Sequence, residues 1–241
     1  MDNLYIFDTS KRQAQALVDR FCKLTNERLK IQNQIHIALS GGSTPVKFFQ
    51  ELAKEKMRIP WEHLHLFWVD ERCVPPDDED SNYGMTKKTL LDRINIPDAN
   101  INRIFGEAIP ETEEKRYSKV LLEKLELRDG WPVFDWILLG LGEDGHTASL
   151  FPGSPLMEDD SSVARVARHP KNGQRRITLT FPVLNHAKTT SFLVSGSAKS
   201  EVIRNIFKST DKMSDIPAAR IRPVDGIVEW YLDKDAAAGL D

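Results

Sequence analysis

The chain holds only two cysteines, Cys22 and Cys73, too few and too far apart for a disulfide framework, and neither belongs to a C-x-x-C pair. Reduced thiols are the expectation, with no chemistry assigned to either. Positive charge is not in excess: 33 lysines and arginines face 36 aspartates and glutamates, a formal net charge of −3, so the footprint of a nucleic-acid binder is missing. No apolar run approaches the roughly 20 residues of a membrane helix. Met1 to Ser10 lacks the basic start and apolar centre of a secretory signal. Internal repeats, heptads and low-complexity segments are also lacking. Together these absences predict a cytoplasmic protein with neither nucleic acid nor membrane as partner. With 40% apolar and 29% charged residues, the 241 residues suffice to bury a sizeable core within one α/β domain.

What is present is an alternation of strand-length apolar runs with helical periodicity. Residues 4–7, 35–39, 64–69, 101–105, 136–139, 176–180, 190–194 and 227–232 are predicted as strands. A first helix is predicted from Ser10, where Ala14, Leu17, Val18, Phe21 and Leu24 share a face and Ser10 with Gln13 suggests a capping box. Further helices are expected after Pro45, over residues 83–94 and 111–127, and after Lys199, where Val202, Ile203 and Ile206 turn inward. Residues 74–82 read as an exposed loop, 182–185 as a turn, 155–175 as aperiodic and 236–241 as a frayed tail. Strands alternating with helices predict a largely parallel open sheet with helices on both faces, a Rossmann-like, modified doubly wound α/β fold.

The densest chemistry follows the run Trp136–Leu139. Gly140, Gly142 and Gly145 interleave with Glu143, Asp144 and His146, so carboxylates and an imidazole lie just beyond a strand's carboxyl end, the edge where open parallel sheets bind ligands. A histidine there suits a general base near neutral pH. A glycine turn carrying a solvated histidine is the plainer alternative. Gly140-x-Gly142-x-x-Gly145 also fits the G-x-G-x-x-G dinucleotide pattern, but Pro152, Gly153 and Pro155 interrupt the long helix that pattern requires.

Three more strand ends carry polar groups. Ser40-Gly41-Gly42-Ser43-Thr44-Pro45 joins a strand to a helix start and offers free backbone N–H groups and hydroxyls to an anion. It lacks the Gly-Lys-Ser/Thr ending of a nucleotide loop, so a small phosphorylated metabolite fits better than ATP. An ordinary helix cap is the alternative. Asp70-Glu71-Arg72 supplies two carboxylates and a guanidinium, suited to a hydroxylated anionic ligand or to a surface salt-bridge cluster. Ser195-Gly196-Ser197-Ala198-Lys199 repeats the loop-to-helix arrangement with a lysine in the first turn, unfavourable for the helix dipole unless an anion also sits there. His63 and His65 lack a third nearby metal ligand, and no metal is expected.

Taken together, the stretches 40–45, Val69-Asp70-Glu71-Arg72 with Ser81-Asn82, 140–152 and 195–199 resemble the 6-phosphogluconolactonase family, and they span most of the chain. The resemblance implies an enzyme of the oxidative pentose phosphate pathway that hydrolyses 6-phosphogluconolactone to 6-phosphogluconate, without a required cofactor. Residues 1–241 are then expected to form a single sugar-phosphate lactonase domain, with no obligatory protein partner. Glucosamine-6-phosphate deaminases of the same superfamily share the glycine loop and Asp-Gly-His. They typically carry a glutamate five residues after the histidine, where this chain has Phe151, which cannot exchange a proton. A non-catalytic sugar-phosphate-binding regulatory domain is the remaining alternative, disfavoured by the intact Asp144-Gly145-His146. On the lactonase reading His146 is the base that deprotonates water. Asp144 is its orienting partner, with Asp70 as the fallback. Arg72 stabilises the oxyanion or holds phosphate, and Gly41, Gly42, Ser43, Thr44 and Lys199 cradle the phosphate.

Overall fold

Strands that must be covered on both faces run as unbroken apolar segments, and β-branched and aromatic residues favour them over helices. In the computed structural model, which describes residues 3–208 and 215–240, these segments form the middle of a parallel sheet. The chain begins β1 (Asn3–Phe7), α1 (Ser10–Arg28), β2 (Ile35–Leu39), α2 (Thr44–Lys54), β3 (Leu64–Trp68), β4 (Asp70–Arg72) and α3 (Asn82–Thr89). It continues with β5 (Ile101–Asn102), α4 (Pro110–Lys124), β6 (Leu127–Arg128), β7 (Trp131–Pro132) and β8 (Trp136–Leu139). The remainder is β9 (Ala164–Arg168), β10 (Arg175–Leu179), α5 (Phe181–Leu184), β11 (Thr189–Val194), α6 (Ser200–Lys208), β12 (Ile227–Asp233) and α7 (Lys234–Ala237).

The main sheet has seven strands among the described residues, in the order β1-β12-β11-β8-β2-β3-β5, and every pairing in it is parallel. From β2 the chain steps outward to β3 and β5, then returns to β8 and steps the other way through β11 to β12. The direction therefore reverses between β2 and β8. That is the switch point at which loops from neighbouring strands diverge and leave a crevice. The core is seated beneath it: Phe21 of α1 meets Trp136 of β8 edge-on at 5.2 Å and Phe48 of α2 at 6.2 Å. Tyr117 of α4 is fully buried, and its hydroxyl is satisfied by donating to the Trp68 carbonyl and accepting from the Trp68 N–H.

A second, three-stranded antiparallel sheet, β4-β10-β9, hangs from the carboxyl edge of the first. Val69 still donates to Leu39 in the main sheet, but the next residues pair with β10, placing Arg72 opposite Arg176, Glu71 opposite Ile177 and Asp70 opposite Thr178. Side chains alternate along a strand, so Asp70, Arg72, Arg176 and Thr178 share one face and Glu71 points from the other.

The predicted fold class holds, with several local differences. The capping box at Ser10 does not form: Thr9 is the cap, its hydroxyl accepting from the Arg12 N–H. Gln13 instead lies buried, donating to the Val194 and Tyr231 carbonyls. The predicted helix over 83–94 ends at Thr89 and tightens into a 3-10 turn at Leu91–Arg93, while Leu127 leaves α4 for the β6–β7 hairpin. His63 lies in a 3-10 turn just ahead of β3. Residues 182–185 lie largely in the short helix α5. Within the stretch read as aperiodic, β9 was hidden because its buried residues, Ala164 and Ala167, are small and three positions apart, so they show no period-two apolar alternation. The expected frayed tail begins within the capped helix α7, with Asp233 accepting from the Ala236 N–H and Ala236 and Ala237 buried, and a turn follows at 238–239; Asp241 lies outside the described residues. Both cysteines are free. No described helix is long and apolar enough to cross a membrane.

Candidate active site

The loops that follow β2 and β8 flank the switch point and open a cleft of about 410 Å³ between them. Its walls include Gly41, Gly42, Ser43, Thr44, Asp70, Arg72, His146 and Lys199, so eight of the nine residues predicted for the site meet in one crevice. The ninth, Asp144, stands directly behind His146.

At one end lies the start of α2. Ser43 occupies the cap position without making a side-chain capping bond, and Pro45 fills a first-turn position where no N–H is needed. The hydroxyls and the remaining first-turn N–H groups are thereby left to the cleft. Gly42 has φ 93°, a conformation that a side chain would strain. Lys199 approaches the same crevice from the 3-10 turn ahead of α6, and among the described residues it has no ion pair. Burial depresses its ammonium below the usual lysine range, against the pull of Glu143 and Asp144.

The β8 loop is a tight coil. Gly142 donates to the His146 carbonyl at 2.8 Å, Gly145 sits at φ 85°, and the buried Thr147 hydroxyl donates back to Gly140. The Asp144 carboxylate lies 2.5 Å from His146 Nδ1 and also accepts the His146 backbone N–H. The ring orientation that the sequence left open is thus fixed: with Nδ1 bonded to a carboxylate, Nε2 is the free nitrogen. Burial alone raises the Asp144 carboxyl, but the hydrogen bond and charge of His146 reverse this and hold it at about 2. Gly142 has a steric purpose here, since a Cβ on it would fall 2.0 Å from Nδ1 and 2.5 Å from the Asp144 Oδ1. Phe151 is 1% exposed and packs its ring against His146 at 4.8 Å.

Asp70 and Glu71 part company across β4. Glu71 faces α3 and accepts the N–H groups of Arg72, Asn82 and Tyr83 together with the Ser81 hydroxyl, so it caps a helix and is withdrawn from any ligand. Burial pushes its carboxyl up to about 7, although those N–H groups pull the other way. Asp70 faces the cleft, where it accepts the Ser149 hydroxyl at 2.6 Å and Asn82 Nδ2 at 3.3 Å. Asn82 in turn lies so close over Gly41 that a Cβ there would be 1.8 Å from its Oδ1. The histidine pair considered for metal is elsewhere, with the His65 ring 5.4 Å from that of His36 and tilted to it. Among the described residues no group of three potential ligands is assembled.

Two residues escaped the sequence reading: Arg176, which lines the cleft and was seen only as the beginning of an alternating strand, and the fully buried Ser149, which ties the β8 loop to Asp70 of the small sheet. Their signal is the pairing of β10 with β4, which local sequence does not carry.

The parallel sheet, the switch-point crevice, the anion-ready helix start and the carboxylate–imidazole pair define an α/β protein built to act on a small phosphorylated molecule. Residues 8–230 match the model of the family described as glucosamine-6-phosphate isomerases/6-phosphogluconolactonase. A curated relative from Haemophilus influenzae, named 6-phosphogluconolactonase, is 43% identical over 225 residues, 92% of this chain and 95% of its own. Another so named, from Aggregatibacter actinomycetemcomitans, is 41% identical over 98% of both chains. The solved structure of 6-phosphogluconolactonase from Trypanosoma brucei superposes with a TM-score of 0.91 at 30% identity, covering 100% of this chain and 99% of that one. The chain belongs to the glucosamine-6-phosphate isomerase/6-phosphogluconolactonase family.

Proposed function

We propose that this chain hydrolyses 6-phospho-D-glucono-1,5-lactone to 6-phospho-D-gluconate in the oxidative pentose phosphate pathway. The observation that carries the reading is the Asp144–His146 pair standing in the same cleft as the helix-start cradle Gly41–Thr44. The names of the curated relatives point the same way.

The phosphate is held by the α2 N-terminus and Lys199, which leaves the lactone carbon toward His146. Nε2 of His146 takes a proton from water as the water oxygen bonds to C1, and the carbonyl electron pair moves onto the exocyclic oxygen. Collapse restores the C=O bond and breaks the bond from C1 to the ring oxygen, which leaves with its electron pair and takes the proton from His146. The carboxylic acid then ionises, releasing one proton to solvent. Asp144 keeps the imidazole in the tautomer this sequence needs and stabilises its cation. Base catalysis of this kind supplies about 10²–10⁴-fold. No electron transfer or covalent carrier enters the scheme, so no cofactor belongs to the proposal.

The proposal treats residues 1–241 as one lactonase domain working in the cytoplasm on a small-molecule substrate, a phosphorylated sugar lactone, without nucleic acid, membrane or an obligatory protein partner. Its test is acid release from freshly made lactone, run beside ammonia release from glucosamine 6-phosphate. Acid release well above the spontaneous rate, without ammonia, is expected. Ammonia production, or a lactone rate at background, would overturn the reading. Phe151, buried against His146 with no proton to exchange, is the feature that disfavours the amine chemistry.

A further inference from the structure

We propose that Arg176, paired across the small sheet with Arg72, holds the anion that forms at the lactone carbon, first the oxyanion and then the carboxylate, at the opposite side of the cleft from the phosphate. The proposal deepens the lactonase reading and rests on it.

Arg176 and Arg72 stand directly opposite each other on antiparallel strands, and both line the cleft. Like charges in that relation destabilise a sheet unless something of opposite charge lies between or beside them. The protein supplies little of it. Arg176 is 8% exposed, yet among the described residues it has no carboxylate within ion-pairing distance. Its hydrogen bonds go to neutral groups, the Ser149 hydroxyl at 3.4 Å and Gln174 Oε1 at 3.2 Å. Among the described residues the Nε atoms of both arginines are buried without a partner. A guanidinium so far removed from water, facing a second one, is costly to keep without an anion. Burial depresses Arg176, and Arg72 adds to the effect against the pull of Asp70, Asp80 and Glu71.

The position of Arg176 says which anion. Its guanidinium lies 5.6 Å from the Phe151 ring centre, and the same ring meets His146 at 4.8 Å and His169 at 5.1 Å. Arg176 therefore shares a wall with the base, and Ser149 links it to Asp70 beneath the same face. The phosphate cradle at Gly41–Thr44 belongs to the loop after β2. A ligand with a phosphate at one terminus and a newly formed carboxylate at the other matches a cleft with two separate cationic regions. The uncharged lactone carbonyl gains its negative charge only in the transition state, where a fixed donor contributes to rate.

The test compares two ligands that differ only at that terminus: 6-phosphogluconate and glucitol 6-phosphate, which carries a hydroxymethyl group in place of the carboxylate. Arg176→Gln is expected to weaken 6-phosphogluconate about tenfold or more, from the usual worth of a charge-assisted hydrogen bond, and to leave glucitol 6-phosphate within about twofold. Lactone turnover should fall in kcat more than it rises in KM, and Arg176→Lys should recover part of both losses. Equal weakening of the two ligands, or no change in either, would overturn the proposal, and Arg176→Lys keeps the comparison available should the glutamine variant melt early. If the unaltered protein proved inactive on the lactone while Arg176 still discriminated the two ligands, the lactonase reading would fail and the carboxylate contact would stand.

Discussion

The two ends of the cleft are built by different means. At the β2–α2 end the groups offered to a ligand are backbone N–H groups and short hydroxyls from one continuous hexapeptide, Ser40 to Pro45, together with Lys199. At the other end they are long side chains drawn from β4, the β8 loop and β10, held by hydrogen bonds between residues up to 79 positions apart. Apart from Lys199, six residues and a helix start specify the first end. The second exists only when two sheets are correctly paired. Binding a group present in both substrate and product suits the first kind of construction; responding to charge that appears during reaction suits the second.

The largest expected effect separates the ends by chemistry. His146→Ala should cut lactone hydrolysis by about 10²–10⁴-fold while product binding stays near normal, measured by kinetics and calorimetry on the same preparation. Near-normal turnover would remove the base from the proposed end of the cleft. Next comes Gly142→Ala. The new methyl would occupy the space of His146 Nδ1 and the Asp144 carboxylate, so the pair must shift. Displacement of a catalytic group by about 1 Å costs on the order of 10²-fold. The expected signature is a fall in kcat with the phosphate affinity unchanged.

A smaller effect is expected at the other end. Lys199→Ala should weaken the phosphorylated lactone by about 10–100-fold, the range for a charged hydrogen bond, and scarcely touch the unphosphorylated lactone. Equal losses on both substrates would break the division of labour between the ends.

Glu71 tests how the side-chain end is supported. With its acid form favoured up to about pH 7, against an ordinary value of 4.5, the folded protein binds this proton more tightly than the unfolded chain. The contribution is therefore fully present below about pH 4.5 and is lost as pH rises through about 7. A carboxylic acid can donate to Ser81 while its hydroxyl oxygen still accepts the Tyr83 N–H, whereas an amide nitrogen cannot accept. Glu71→Gln should thus destabilise by about 1–3 kcal/mol, the cost of a buried unpaired donor. The gap in denaturant midpoints should be widest near pH 5 and narrow toward pH 8.

What could be read from the sequence follows the same division. The hexapeptide at Ser40, the apolar run ahead of Gly140 and the alternation of strands with helices are local, and each was visible as residue type and period. Glu71 and Asp70 looked equivalent because both are carboxylates at a strand end. Only the pairing of β4 with β10 sends one to cap α3 and the other to the cleft. Arg176 was hidden for the same reason, and β9 because its two buried alanines are small and do not alternate with period two. The Asp144–His146 contact depends on a loop conformation with Gly145 at positive φ and no side chain at Gly142, which glycine permits without announcing.

The smallest expected effect compares glycine with glycine. Gly42 has φ 93° and open space where a Cβ would go, so Gly42→Ala introduces backbone strain and no collision. Left-handed backbone costs a side-chain-bearing residue about 1–2 kcal/mol. The variant should therefore lose about that much stability, with kcat close to normal and KM raised only as far as the loop relaxes. Gly142→Ala should do the reverse, sparing stability and losing kcat. If Gly42→Ala lost kcat as severely as Gly142→Ala, the cradle would be taking part in the chemical step, and the two ends of the cleft would have to be treated as one.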